Sequence, residues 1–183
     1  MKQKLKDAYM STAEVFAELS HARRLHVGAI IVKDDRIISI GYNGMPAGWD
    51  NNCEDKLFNT RFTQQKDGTW IDPLTYEVVD IDEHYPFVEM SDVDDSVIGR
   101  YRLKTKSEVL HAETNAIAKL ARSGEHGLDS DLFVTHAPCM DCAKLIYQAG
   151  IRRVFFGTAY RDNSGVDFLT ASGVQIEQLE EKE

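Results

Sequence analysis

The C-terminal part of the chain constrains the fold most, because helices and strands alternate regularly along it. Apolar residues recur there at helical spacing or form short β-rich runs, which predicts helices over residues 112–122, 140–148 and 166–171 and strands over residues 132–135, 153–157 and 174–179. Gly150 and Gly173 stand where two of the helices would end, a position that favours glycine. An alternating order of this kind predicts a three-layer α/β fold with helices on both faces of a sheet.

The N-terminal part adds a helix and a hairpin to this pattern. Apolar residues spaced three and four apart between residues 8 and 19 predict an amphipathic helix that ends near Ser20. Two β-rich runs, residues 27–32 and 37–42, flank a short charged turn and predict an antiparallel hairpin. Residues 41–48 hold three glycines and a proline, which predicts a structured loop with unusual backbone angles.

Charge is distributed unevenly along the sequence. Residues 1–49 hold seven basic and five acidic side chains, residues 50–100 hold four and thirteen, and residues 101–183 hold ten and twelve. The net charge of −9 therefore falls on the middle segment. This segment has poor periodicity but contains aromatic residues, which are scarce in disordered chains. We expect a single domain over residues 1–183 that carries an acidic, irregular but partly packed insertion at about residues 50–106.

The composition also excludes several classes of protein. An excess of 30 acidic over 21 basic residues is the wrong sign for a protein that binds polymeric nucleic acid or an anionic membrane. No run of 18 apolar residues exists, and the lysine-containing start lacks the apolar core of a signal peptide. We therefore expect a soluble, cytoplasmic protein. Three cysteines are too few for a disulfide framework, so thiol, metal and core roles remain.

Cys139 and Cys142 lie three residues apart at a predicted junction of strand and helix, so both sulfur atoms can reach one ion. A structural zinc site usually needs four protein ligands, and the third cysteine, Cys53, is isolated in sequence. The pair alone is compatible with a metal site, redox chemistry or chance. Redox chemistry would predict a thioredoxin-like context around the pair, which the rest of the sequence does not supply.

His111 changes this balance, because it stands at the start of the other well-defined helix, 28 residues before Cys139. One histidine and two cysteines make three ligands, which leave the fourth position of a tetrahedral ion open for water, as in catalytic sites. Glu113 is two residues from His111, and the two side chains can converge only in the first turn of a helix. The pattern favours a hydrolytic metal site in which Glu113 carries protons, over a surface histidine and a solvated carboxylate.

At these residues the sequence resembles the zinc-dependent cytidine deaminase superfamily, whose pattern is His-x-Glu followed by Pro-Cys-x-x-Cys. Within the superfamily, the runs VGAIIV, GYNGMPAG, HAETNAI and CAK are similar to those of deoxycytidylate (dCMP) deaminases. The resemblance spans residues 20–50 and 107–160, and residues 50–106 correspond only in position to a variable insertion. It implies the cytidine-deaminase-like fold, with three α/β/α layers and a mixed five-stranded sheet that begins with an antiparallel hairpin.

The resemblance implies that His111, Cys139 and Cys142 bind one catalytic zinc ion and that Glu113 is the general acid and base. An activated water would attack C4 of the cytosine ring while Glu113 protonates N3 and later the departing ammonia. The reaction would convert dCMP to dUMP, which supplies the synthesis of dTMP.

The same resemblance implies residues that bind the substrate. Asn43 would contact the sugar or the base, the backbone N–H of Ala112 would bind the pyrimidine carbonyl, and Tyr160 would lie near the substrate. Arg24, just before the first strand, is our candidate for the 5′-phosphate, because a dianion needs a local cation; an exposed arginine with no such role is the alternative. His136 occupies a position where relatives carry an apolar or aromatic residue, and we expect it to line the base pocket or to tune it.

Regulation and a second metal site are further implications of the resemblance. Relatives of this type are activated by dCTP and inhibited by dTTP at a subunit interface, which here would use Gly41, Tyr42 and Gly44 in a homohexamer, with Mg²⁺ accompanying the triphosphate. Some phage relatives bind a structural zinc, for which Cys53 with His26 or His84 is the only candidate set; a buried free thiol is the other interpretation of Cys53.

Several alternatives stay open. A deaminase of bases in RNA or DNA would share the zinc motif but predicts a basic groove or tail, whereas residues 177–183 are acidic. A free cytidine deaminase or a dual dCMP/dCTP deaminase is a nearer alternative. A zinc-binding scaffold without activity is disfavoured by the intact Glu113.

Overall fold

The computed structural model describes residues 1–160 and 162–180, so the last three residues of the acidic C-terminal stretch lie outside it. The chain divides into two compact units, one formed by Met1–Cys53 with Ser107–Glu183 and the other by Glu54–Lys106. In chain order the described residues form α1 (Gln3–Ala17), β1 (Gly28–Lys33), β2 (Arg36–Tyr42), β3 (Glu54–Phe58), β4 (Thr63–Gln64), β5 (Trp70–Ile71), β6 (Val78–Val79), α2 (Ile81–His84), β7 (Phe87–Met90), β8 (Val97–Thr105), α3 (Ala112–Leu120), β9 (Asp131–His136), α4 (Met140–Gln148), β10 (Arg153–Thr158), α5 (Ser164–Ala171) and β11 (Gln175–Gln178).

The first unit contains a mixed five-stranded sheet with the strand order β11-β10-β9-β1-β2. Strand β1 is antiparallel to both of its neighbours, whereas β9, β10 and β11 run parallel to one another. The hairpin of β1 and β2 closes through Asp34 and Asp35, whose φ angles of 50° and 58° are those of a two-residue type I′ turn. The predicted sheet and its N-terminal hairpin are confirmed.

Helices cover both faces of this sheet. On one face, Met10 and Ala13 of α1 pack against Ile30, Phe133 and Phe155 of the strands. On the other face, α3, α4 and α5 bury a larger apolar cluster against the same strands; its members on the helices are Ala112, Ala116, Leu120, Ala143, Ile146 and Leu169. The predicted three-layer α/β/α arrangement is therefore confirmed, and it places the N-terminal ends of α3 and α4 on the same side of the sheet.

Two glycines allow helices to approach the sheet closely. A Cβ atom at Gly28 would lie 2.6 Å from the amide nitrogen of Ala17, and one at Gly41 would lie 2.6 Å from that of Ala116. Gly28 thus admits α1 on one face and Gly41 admits α3 on the other. The expectation of unusual backbone angles across residues 41–48 is wrong for most of the run, since among its glycines only Gly48 has a positive φ, of 87°.

We expect Gly41→Ala to lower the free energy of unfolding by about 1–3 kcal/mol, because the added methyl group forces the backbones of β2 and α3 apart. Gly44→Ala is the matched control from the same run: no atom lies within 4 Å of its added Cβ. Urea unfolding of both variants measures the difference. Equal midpoints for Gly41→Ala and Gly44→Ala would contradict the packing role of Gly41.

The second unit is more regular than the sequence predicts. It contains a three-stranded sheet in the order β3-β8-β7 and a smaller one in the order β4-β5-β6. Tyr101 of β8 contacts Phe58 at 5.7 Å and Phe87 at 5.4 Å between ring centroids, so a row of aromatic side chains crosses the three strands. Residues 54–106 hold seven basic and twelve acidic side chains, a net charge of −5, because this unit includes Arg102, Lys104 and Lys106 and leaves out Asp50. The middle segment therefore carries less of the total charge than the sequence blocks indicate.

None of the helices formed by the described residues combines the length and apolar character needed to cross a membrane.

Candidate metal centre

The three predicted metal ligands lie at the starts of α3 and α4. His111 is the N-cap residue of α3 and Cys139 that of α4, with extended backbone angles (ψ of 153° and 169°). Neither side chain caps its own helix, so both are available to a ligand. Cys142 follows within the first turn of α4. Each helix start carries the partial positive charge of a helix N-terminus, which favours thiolates and other anions nearby.

The three donor atoms lie within reach of a single ion. Nδ1 of His111 is 3.3 Å from Sγ of Cys142 and 3.6 Å from Sγ of Cys139. In the part of the chain that the structure describes, this is the one group of three or more His, Cys, Asp or Glu residues whose ligand atoms all lie within 4.8 Å of one another.

These distances fit zinc. Zinc binds thiolate sulfur at about 2.3 Å and imidazole nitrogen at about 2.0–2.1 Å, and a tetrahedral arrangement then separates sulfur from nitrogen by roughly 3.6 Å. The observed distances from Nδ1 of His111 to the two sulfur atoms, 3.3 and 3.6 Å, are close to this expected separation. The donor set has one imidazole and two thiols, which suits zinc better than magnesium or calcium.

Protons are shared unequally between the two thiols. Hydrogen bonds from the Cys142 thiol and from His111 lower the pKa of Cys139 to about 4. Cys142 shows the opposite change: the hydrogen bond that it makes to Cys139, together with burial, raises the pKa of the Cys142 thiol. Of the two thiols, Cys139 is therefore the more readily deprotonated, and a divalent cation would take the place of the thiol protons when it binds.

Glu113 lies beside this cluster, in the first turn of α3, with only 4% of its surface exposed. Burial raises the pKa of the Glu113 carboxyl, and the neighbouring His111 and the Cys142 thiol act in the opposite direction. A buried carboxyl whose pKa is moved toward neutrality suits a group that both accepts and donates a proton. His111 and Glu113 converge here because both belong to the helix start.

Asn43 holds the segment that leads into β1. Its side-chain oxygen accepts the N–H of Val27 at 2.8 Å, and its side-chain nitrogen donates to the carbonyl of Leu25, also at 2.8 Å. Arg24, the candidate for the phosphate, is exposed in this segment. Asn43 itself is buried and keeps one N–H and one oxygen lone pair for another partner.

The glycine-rich run is joined to α3 by contacts that the sequence analysis missed. Gly44 and Leu110 exchange two backbone hydrogen bonds, of 3.1 and 2.9 Å, and Leu110 directly precedes His111. Asn115 donates from its side chain to the carbonyl of Tyr42 at 2.9 Å. The sequence does contain a signal for this contact. Asn115 follows His111 by four residues, a spacing that places two side chains on the same face of a helix.

The structure places the other predicted site residues as follows. Ala112 is buried at the first position of α3, where a backbone N–H has no intrahelical partner. His136 is half-buried at the end of β9 and its Nδ1 is 3.1 Å from the Thr135 hydroxyl, whereas Tyr160 is exposed. Cys53 is buried in a separate small cluster with Ala22 and Val109, and it belongs to no three-ligand group among the described residues.

Comparisons with known proteins agree with this geometry. The model of the cytidine and deoxycytidylate deaminase zinc-binding region matches residues 3–158. A deoxycytidylate deaminase of Enterobacteria phage T4 is 33% identical over 164 residues, which cover 85% of this chain and 80% of that protein. The human deoxycytidylate deaminase is 32% identical over 149 residues, covering 81% of this chain and 61% of that protein.

Solved structures give the same result. The dCMP deaminase of cyanophage S-TIM5, crystallised in complex with dCMP and dUMP, superposes with a TM-score of 0.69 at 35% identity, covering 98% of this chain and 99% of that one. A bifunctional deaminase and reductase of Thermotoga maritima shares the fold, with a TM-score of 0.56 at 20% identity, covering 96% of this chain and 36% of that one. The chain therefore belongs to the cytidine and deoxycytidylate deaminase family.

Proposed function

We propose that this protein is a zinc-dependent deaminase that converts dCMP and water to dUMP and ammonia. One observation carries the proposal: a histidine and two cysteines converge at the starts of two helices, with the buried carboxyl of Glu113 beside them. The similarity to deoxycytidylate deaminases of phage T4 and cyanophage S-TIM5, each of which covers four-fifths or more of both chains, supports dCMP as the substrate. We also propose that residues 54–106 form an insertion within one deaminase domain.

The residues at the site divide the chemistry among them. His111, Cys139 and Cys142 would hold zinc, which lowers the pKa of a water at its open fourth position. Glu113 would take the proton from that water and pass it to N3 of the cytosine ring, which makes C4 electrophilic. Once the C4–O bond has formed, the same carboxylate would take the second proton from the new C4 hydroxyl and deliver it to the amino group, so that the C4–N bond breaks, the C4 carbonyl forms and ammonia leaves. The burial of Glu113 keeps bulk water away from its carboxyl during these proton transfers.

The nucleotide would lie between the segment before β1 and the start of α3. The free N–H of Ala112 at the helix start is suited to the pyrimidine carbonyl, and the unused donor and acceptor of Asn43 to the sugar. Arg24, His136 and Tyr160 complete the proposed pocket, with Arg24 on the phosphate and His136 and Tyr160 near the base. Because Asn43 also holds the segment that carries Arg24, one residue would orient both ends of the substrate.

Regulation remains part of this proposal. The hydrogen bonds between Gly44 and Leu110 give the run containing Gly41, Tyr42 and Gly44 a direct connection to His111, which supports a role for that run in control by dCTP and dTTP. Mg²⁺ would accompany the bound triphosphate, and the enzyme would be a homohexamer that supplies dUMP for dTMP synthesis. Activity that is unchanged by both triphosphates, or a monomeric mass by light scattering, would contradict this part.

We expect purified protein to release ammonia from dCMP with a higher kcat/KM than from dCTP, and not measurably from deoxycytidine or from tRNA. The 5′-phosphate and its proposed cation account for the preference over the nucleoside. A coupled ammonia assay on the four substrates under identical conditions measures it. Comparable rates with dCMP and dCTP would indicate the dual enzyme, and activity on tRNA alone would refute the proposal.

A further inference from the structure

Thr114 connects the two helices of the metal centre without being one of its ligands or proton carriers. It lies in the first turn of α3, one residue after Glu113, and its Oγ1 is 3.8 Å from Sγ of Cys142 on α4. This hydrogen bond joins the helix that carries His111 and Glu113 to the helix that carries both cysteines. The contact is therefore made between elements that are far apart in sequence but meet at the proposed zinc ion.

Cys142 has a greater need for such a donor than Cys139. Cys142 is 2% exposed, whereas Cys139 is half-buried and can be hydrated. When a metal binds, both thiols lose their protons, so each sulfur can then only accept hydrogen bonds. A buried thiolate without a donor is costly, because no water can replace the lost hydration. The Thr114 hydroxyl lies 3.8 Å from this sulfur and is placed to donate to it once the thiol proton is lost.

The local backbone leaves the hydroxyl available for this role. A threonine inside a helix commonly bonds the carbonyl four residues earlier, but for Thr114 that residue is Leu110, which precedes the N-cap residue His111 and lies outside the helix. That carbonyl already accepts the N–H of Gly44 at 3.1 Å. The Thr114 hydroxyl is therefore not committed to the helix backbone in the usual way, and it lies 3.8 Å from the Cys142 sulfur.

We propose that Thr114 is a positioning residue of the metal centre: its hydroxyl donates a hydrogen bond to the Cys142 thiolate, fixes the sulfur in its ligating position and reduces its electron donation to the metal. The inference rests on the proposed zinc site. Reduced donation leaves the metal a stronger Lewis acid, which offsets part of the effect of two anionic ligands. Partners of metal ligands in this position typically change metal affinity by about 10–100-fold.

The test compares Thr114→Val, which keeps the shape but removes the hydroxyl, with Thr114→Ser, which keeps the hydroxyl. We expect Thr114→Val to bind zinc about 10–100-fold more weakly in competition with a chromophoric chelator, and Thr114→Ser to retain the affinity of the unaltered protein. Thr114→Ala should behave like Thr114→Val. Because alanine favours the helix and is smaller than valine, this variant shows whether steric crowding by valine contributes to the loss of zinc affinity. Thr170→Val is the matched control, since the Thr170 hydroxyl bonds only the backbone of α5 at 2.9 Å among its described contacts.

Cobalt substitution gives a readout that a purely structural role would not change. The sulfur-to-cobalt charge-transfer band of the Co²⁺-loaded protein should move to longer wavelength in Thr114→Val, because a thiolate that accepts no hydrogen bond gives up its electrons more easily. In Thr114→Ser the band should have the same position as in the unaltered protein. An unchanged affinity and band in Thr114→Val, or a Thr114→Ser variant that behaves like Thr114→Val, would overturn the role of Thr114 alone. A lack of any such band in the unaltered protein would instead overturn the thiolate-bound metal site itself, and with it the proposed function.

Discussion

Replacing Glu113 by glutamine is expected to lower kcat for dCMP by about 10²–10⁴-fold, the range that a positioned general acid and base contributes. Glutamine preserves the shape of the side chain in its buried position but cannot accept or release a proton at neutral pH. Because the carboxyl acts mainly in the transition state, kcat and kcat/KM should fall together. Steady-state ammonia release from dCMP, with zinc measured by atomic absorption on the same samples, provides the test.

The zinc content separates this effect from damage to the site. Glu113 is not one of the three clustered ligands, so Glu113→Gln should retain the zinc content of the unaltered protein. Glu108→Gln is the matched control, because Glu108 is an exposed carboxylate three residues before His111 and hydrogen-bonds only Ser107 among its described contacts. Full activity in Glu113→Gln would refute the proposed mechanism, and loss of activity in Glu108→Gln would show that the assay responds to charge in general.

Removal of a ligand should abolish both metal and activity. Cys142→Ala leaves one thiol and one imidazole, and two ligands of this kind hold zinc far less tightly than three. We expect zinc to be lost on dialysis, with a fall in affinity larger than the roughly 10–100-fold caused by loss of a group that merely hydrogen-bonds a ligand. Deaminase activity should become undetectable and should not return when zinc is added at micromolar concentration.

Cys53→Ala is the control for this experiment, because Cys53 is also buried but lies in a different cluster. Its replacement should lower the free energy of unfolding by about 1 kcal/mol through lost packing and should leave zinc content and activity intact. Loss of zinc from Cys53→Ala would revive a metal site at Cys53, and retention of zinc by Cys142→Ala would contradict the assignment of the ligands.

The sequence predicted the first unit well because its signals are local. The helix over residues 140–148 is found with the predicted bounds, since its apolar spacing and the following Gly150 act within a few residues. The three central strands, β1, β9 and β10, are short, mostly apolar and mostly buried, and they differ from prediction by one or two residues. The convergence of His111 with Cys139 and Cys142 followed from their common placement at helix starts.

The second unit could not be predicted in the same way. Its smallest strands, such as Thr63–Gln64 and Trp70–Ile71, have two residues each and are defined only by pairing with one another and with the equally short Val78–Val79. The ion pair between Arg61 and Asp72 likewise depends on the turn that brings them together. Such elements have no periodicity of their own, so their acidic and polar sequence reads as irregular.

Some residues in the predicted site have roles that only three-dimensional packing reveals. Gly41 reads as a loop glycine, yet it lies at the end of β2 beneath α3, and what it requires is space rather than an unusual backbone angle. Asn43 reads as a substrate ligand, and the structure adds a second role that the sequence does not indicate: its side chain also bonds the backbone of Leu25 and Val27. Neither the packing distance at Gly41 nor the hydrogen-bond partners of Asn43 can be inferred from a single sequence.

The pairing of β3 with β8 has a consequence for how the acidic segment is attached. Glu54, its first residue, lies opposite Thr105 in an antiparallel ladder, and such partners have Cα atoms only about 4.5–5.5 Å apart. The 53 residues from Glu54 to Lys106 therefore begin and end at nearly the same point. The hydrogen bonds between β3 and β8 hold the two ends of this segment together. The flanking residues of the first unit, Cys53 and Ser107, therefore do not have to close this long loop themselves. A segment attached in this way can change length or be exchanged for a short turn while the strands and helices that carry the metal ligands keep their order and register.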